Sequence, residues 1–96
     1  MQANNPKALA KDSLGPAFGG VLRRLRQERG LSQEGLGFES GYHRTYIGLL
    51  ERGLKSPSLQ TIFNLANALK ITPSALIRQV ESKNQEILQN VKKDGK

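Results

Sequence analysis

The chain contains no cysteine, so it forms no disulfide and offers no thiolate to a metal, and a reducing cytoplasm is its expected compartment. Its single histidine, His43, has no second ligand at metal-binding spacing in the sequence. No glycine-rich loop that would cradle a phosphate precedes a helix, and no spaced pair of carboxylates suggests acid–base chemistry. An enzyme therefore has little to stand on, and neither a cofactor nor a small-molecule ligand is evident. No apolar run approaches the ~20 residues of a membrane-spanning helix, and the N-terminus lacks a signal-peptide core. There is no internal repeat, no low-complexity tract, and no alternating pattern that would compete with helix.

What is present is a short basic chain. Ninety-six residues make one domain with a small core. Fifteen Lys and Arg against eight Asp and Glu leave a net charge of +7, which favours a polyanionic partner. The residue pattern is helical throughout, so the expected fold is all-α, with five helices.

The stretch Gln33 to Arg52, QEGLGFESGYHRTYIGLLER, organises the rest. It reads as two short helices and a sharp turn. Leu36 of the first meets Ile47 and Leu50 of the second, which share one face. Gly37 lets the second helix approach closely, and Gly41 supplies the positive φ of a tight helix end. That is a helix-turn-helix pattern.

Around it, helix 1 is expected from Ala17 to Arg29, with Phe18, Val21, Leu22 and Leu25 as its apolar stripe and Gly30 ending it. Leu31 plugs the core and Ser32 caps helix 2, Gln33 to Ser40. His43 starts helix 3, which stops at Gly53. Ser58 caps helix 4, whose Leu59, Ile62, Phe63, Leu65, Ala66 and Leu69 are expected to face inward. Thr72 and Pro73 open helix 5.

Residues 1–16 are polar and are expected to form a flexible arm, with Lys7 and Lys11 as a basic arm along a nucleic acid for the functional alternative. An Asn5–Pro6 start to a short helix is a further option. At the other end, Ile77, Val80, Asn84, Ile87 and Val91 are spaced 3, 4, 3, 4, a two-heptad seam with a polar residue that suits a homodimer interface. An amphipathic helix folding back on its own domain has the same pattern. Residues 17–78 are thus expected as the domain, and residues 79–96 as a C-terminal helical extension with a frayed end.

The stretch, together with LRRLRQERGLSQ before it and ERGLKSPSLQTIFNLANAL after it, resembles the phage-repressor family of helix-turn-helix DNA-binding proteins (lambda repressor, Cro and Xre-like). The likeness runs from about Phe18 to Leu76. It implies a compact five-helix lambda-repressor-like domain whose third helix enters the major groove of double-stranded DNA. On that pattern Arg44, Thr45 and Leu49 are the base-reading positions. Arg44 suits guanine O6 and N7, and Thr45 can bond an edge or pack on a thymine methyl. Leu49 departs from the polar residue usual there, and either touches a thymine methyl or contributes nothing. Gln33, His43, Tyr46, Arg52, Lys55 and Ser56 are the candidate phosphate contacts, with capping as the other role for His43, and with packing as the first reading of Tyr46 and a phosphate bond as its runner-up. The resemblance also pairs Arg26 of helix 1 with Glu51, whose position at a helix C-terminus is otherwise unfavourable. Gly48, inside helix 3, is unexplained by the pattern.

The function so implied is a sequence-specific transcriptional regulator binding a pseudo-palindromic operator as a homodimer, in the manner of small phage repressors and restriction–modification controller proteins. An antitoxin or adaptor that uses the same fold to bind protein is the alternative, resting on an exposed stripe of helix 5.

Overall fold

A computed structural model describes residues 6–94, and side-chain surroundings for residues 13–90. Five helices follow one another with no strand among the described residues: α1 (Pro6–Glu28), α2 (Gln33–Ser40), α3 (Arg44–Glu51), α4 (Leu59–Ala68) and α5 (Pro73–Asp94).

The helix starts and stops follow local chemistry. Ser32 accepts from the Gly35 N–H at 2.9 Å, Ser58 from the Thr61 N–H at 3.0 Å, and Thr72 from the Ala75 N–H at 3.1 Å, each satisfying an orphan donor of a first turn. Gly41 closes α2 at φ 86°. One helix end lacks a glycine: Lys70, just past α4, holds φ 64°.

Leu22, Leu36, Ile47, Leu50, Leu65 and Leu76 are the largest fully buried side chains. They come from all five helices, so the helix-turn-helix shares one core with its frame. Within α4 the inward stripe is Thr61, Leu65, Ala66, Ala68 and Leu69. Leu59 and Phe63 are instead 72% and 51% exposed, correcting the expectation that they face inward. Each lies two residues, or about 200° of helix, from the buried Thr61.

α1 begins at Pro6 rather than at Ala17, so residues 6–16 are helix and not an arm. Proline at the first helical position is favourable because its missing N–H is an orphan there in any case. Pro16 lies inside the helix, where it forgoes one backbone bond, and tertiary contact holds the segment. Gly15 packs on the Gly53 backbone, and buried Ser13 donates to Asn84 of α5. α1 and α5 run antiparallel, since Ser13 meets Asn84, Gly20 meets Lys83, and Arg24 meets Gln79.

That pairing uses most of the seam assigned to a second copy. Val80 is 6% exposed, Asn84 is bonded to Ser13, and Ile87 packs on the core. These three face their own chain, which corrects their assignment to a dimer interface. Ile77 is one residue round from buried Leu76 and remains 45% exposed. The Val91 side chain lies outside the described residues.

Candidate nucleic-acid interface

Close backbone contact joins the packing of Ile47 and Leu50 in seating the third helix. A Cβ on Gly37 would collide with the Tyr42 carbonyl oxygen, and one on Gly19 with the carbonyl oxygens of Leu50 and Glu51. Only hydrogen fits at either place. Gly37 therefore brings α2 against the turn, while Gly15 and Gly19, four apart on one face of α1, receive the C-terminal end of α3. The Gly15–Gly19 spacing was visible in the sequence, but residues 1–16 read as an arm and the seat went unnoticed.

A polar network ties the turn to α4. The buried Thr61 hydroxyl meets Tyr42 Oη at 3.2 Å, Tyr46 Oη at 3.3 Å and Ser58 Oγ at 2.9 Å, and Asn64 donates to Tyr42 Oη at 2.9 Å. The two tyrosine rings tilt against each other with centroids 5.2 Å apart. Tyr46 is half-buried and turned toward α4, so its hydroxyl serves this network rather than a phosphate, a correction to that assignment.

Arg26 and Glu51 form the strongest polar contact of the frame. Arg26 Nε donates to Glu51 Oε2 at 2.5 Å and Nη2 to Oε1 at 3.0 Å, a bidentate geometry. Nη1 donates to the Leu31 carbonyl at 2.8 Å. The side chains are only 10% and 3% exposed. The hydrogen bonds Arg26 donates to Glu51 raise its pKa above the ordinary arginine value, against the opposing effect of burial. The carboxylate at the end of α3 is thus neutralised and tied to α1.

Gln33, the first residue of α2, also reaches this carboxylate, its Nε2 donating to Glu51 Oε1 at 3.0 Å. Its amide lies over Gly48, where a Cβ would meet Gln33 Oε1 at 3.5 Å.

At the other end of α3, His43 is the N-cap, its Nδ1 accepting from the Thr45 N–H at 3.0 Å. An accepting Nδ1 places the ring proton of the neutral imidazole on Nε2, where it is free to be donated outward. Arg44 and Thr45 follow in the first turn, both exposed. Arg44 has only a long, exposed contact with Glu34, at 3.9 Å. Leu49 is half-buried. Beyond α3, Arg52 donates from Nε to the Gly48 carbonyl at 3.3 Å while staying exposed, and Lys55 and Ser56 are exposed in the loop before α4. Phe38, to which the sequence reading gave no role, is 88% exposed beside Glu34, Tyr42, His43 and Arg44.

A short helix whose arginine and threonine stand clear at its N-terminus, flanked by hydrogen-bond donors and gripped from behind by glycine contacts and a buried ion pair, defines a helix-turn-helix DNA-binding module. Residues 22–76 match the family described as Helix-turn-helix, and the chain belongs to it. It is 41% identical over 61 residues to the control protein C.BamHI of Bacillus amyloliquefaciens, covering 62% of this chain and 75% of that one. Among solved structures it is similar to the restriction-modification controller protein C.AhdI of Aeromonas hydrophila, with 51% identity, a TM-score of 0.62, and coverage of 64% of this chain and 92% of that one. The clp gene regulator ClgR of Corynebacterium glutamicum superposes with a TM-score of 0.74 at 26% identity over 84% of each chain. The family is one of transcriptional regulators rather than enzymes, and this chain is a DNA-binding regulator of that type. No helix among the described residues is long and apolar enough to cross a membrane.

Proposed function

We propose that the chain is a sequence-specific regulator of the controller-protein kind, laying α3 in the major groove of double-stranded DNA in the cytoplasm. Arg44 and Thr45 read base edges, with Leu49 one turn behind. Gln33, His43, Arg52, Lys55 and Ser56 hold phosphates on either side. The observation that carries this reading is the state of the α3 N-terminus. Arg44 and Thr45 are exposed, while the helix beneath them is fixed by Gly19, Gly37 and the Arg26–Glu51 pair.

The proposal includes a homodimer on a pseudo-palindromic operator, with recognition helices about 34 Å apart in successive major grooves. With Val80 and Ile87 turned inward, the apolar side chains exposed on α4 and α5 for a second copy are the Leu59–Phe63 pair, i and i+4, and Ile77. The adaptor alternative drew its support from a free stripe on α5, and that stripe is largely spent on α1.

Selection of duplexes from a random pool, at two salt concentrations, tests the reading. The expected result is a symmetric consensus with half-sites about one helical turn apart and guanine opposite Arg44, with the guanine preference lost in Arg44→Ala. Binding that enriches no sequence and vanishes at moderate salt would leave only the phosphate term and reject it.

A further inference from the structure

Gln33 is exposed, yet its side chain is tied to a buried carboxylate. It opens α2 at the edge of the interface, and its amide nitrogen carries two hydrogens in one plane. One is donated to Glu51 Oε1 at 3.0 Å. The other has no partner among the described residues.

We propose that Glu51 is a positioning residue for DNA binding, and that it works through Gln33. Resting on the DNA-binding reading above, the ligand of the second N–H is a backbone phosphate. A free glutamine amide at a surface presents its oxygen about as readily as its nitrogen, and an oxygen facing a phosphate repels it. The Glu51 carboxylate only accepts hydrogen bonds, so it selects the rotamer in which nitrogen lies between the two anions. One N–H then binds the carboxylate and one binds the phosphate.

Arg26 makes the arrangement possible. Two anions on one amide nitrogen would repel each other, but Arg26 donates twice to the same carboxylate and cancels its charge. The Gln33 amide lies across Gly48 of α3, in a place that would leave ordinary contact even to a Cβ there. Glu51 is the last residue of α3, so the phosphate held by Gln33 is placed in register with the helix that reads bases at its other end. Its burial distinguishes this from a surface contact: the Glu51 side chain is 3% exposed, and it cannot wander with solvent.

The test is a double-mutant cycle on the duplex that the wild-type chain enriches from a random pool. Gln33→Ala is expected to weaken binding roughly tenfold, the scale of one hydrogen bond to a charged group. In a Glu51→Leu background, which has no acceptor for the Gln33 amide, the same change should cost less than about twofold, because the amide is no longer held. Equal losses in both backgrounds, or no loss in the wild-type background, would overturn the proposal. Failure to enrich any duplex would instead reject the DNA-binding reading, and so is a separate outcome. Because Glu51→Leu also weakens the frame by unpairing Arg26, a second measurement needs no variant of it. In the wild-type protein before DNA is added, the Gln33 side-chain amide proton that faces Glu51 is expected to exchange with solvent more slowly than the other. The second proton should shift only in the complex. Exchange of both protons at the rate of a solvent-exposed glutamine amide in the unbound protein would refute the idea.

Discussion

Single side chains decide how firmly the interface is held. Replacing Glu51 with Ala strands the Arg26 guanidinium, 10% exposed, and is expected to destabilise the domain by about 3 kcal/mol, read as a lower urea midpoint. The pH dependence of that difference follows from the raised Arg26 pKa. A cation whose folded pKa exceeds its unfolded value stabilises fully below the unfolded value and loses that contribution only as pH rises through the folded one. For an arginine both lie at the far alkaline end, so titration of Arg26 leaves the stability difference unchanged from neutral to mildly alkaline pH. Gly48 behaves oppositely. The methyl of Gly48→Ala would meet Gln33 Oε1 at 3.5 Å, an ordinary contact, so the variant should melt higher, by up to about 1 kcal/mol of added stability from helix propensity. A lower melting temperature would mean that the neighbouring Gln33 does not tolerate even a methyl group.

At the scale of elements, α1 illustrates how position overrides residue type. Gly19 and Gly20 are neighbours in one helix, yet a Cβ on Gly19 collides with backbone carbonyls of α3 while one on Gly20 meets only Lys83 Cε at 3.7 Å. Gly19→Ala should therefore destabilise by at least about 2 kcal/mol through overpacking, and Gly20→Ala should stabilise by up to about 1 kcal/mol. Thermal melts of the pair check both signs at once. Both residues belong to the part of α1 that the sequence reading did place in a helix. The preceding turns were not legible, because Gly15 and Pro16 together signal a break. They remain helical because Gly53 and Asn84 contact them from elements far along the chain. α2 shows the reverse case: Ser32, Gly37 and Gly41 are local signals, and the helix runs over Gln33–Ser40 as read from them.

For the whole molecule the relevant quantity is charge. A net +7 drives association with DNA through counterion release, and only cations at phosphates contribute to the salt slope. Lys55→Ala should lower the slope of log affinity against log salt by about 1, whereas Ser56→Ala should weaken binding without changing it. Titrations at several salt concentrations separate the two. An unchanged slope in Lys55→Ala would remove that residue from the phosphate grip. The assembly is the other whole-molecule property, and here the heptad seam of α5 was ambiguous from sequence. Val80 and Asn84 satisfy the spacing of a coiled coil and equally that of a helix lying along α1. The choice between them belongs to packing rather than to periodicity.

By itself the sequence determined the all-α class, the caps and the helix-turn-helix, because each rests on residues close together in the chain, while the outward-facing first turn of α3 was implied by the resemblance. Caps, glycine turns and apolar spacing act over one or two helical turns and can be read in order. Only the tertiary structure decided that residues 6–16 are helix, that Leu59 and Phe63 face outward, that Tyr46 bonds Thr61, and that Gln33 rests on Glu51. Each of these depends on segments that are distant in the chain. What decides the outcome is the geometry in which the helices cross, a property that no local pattern carries.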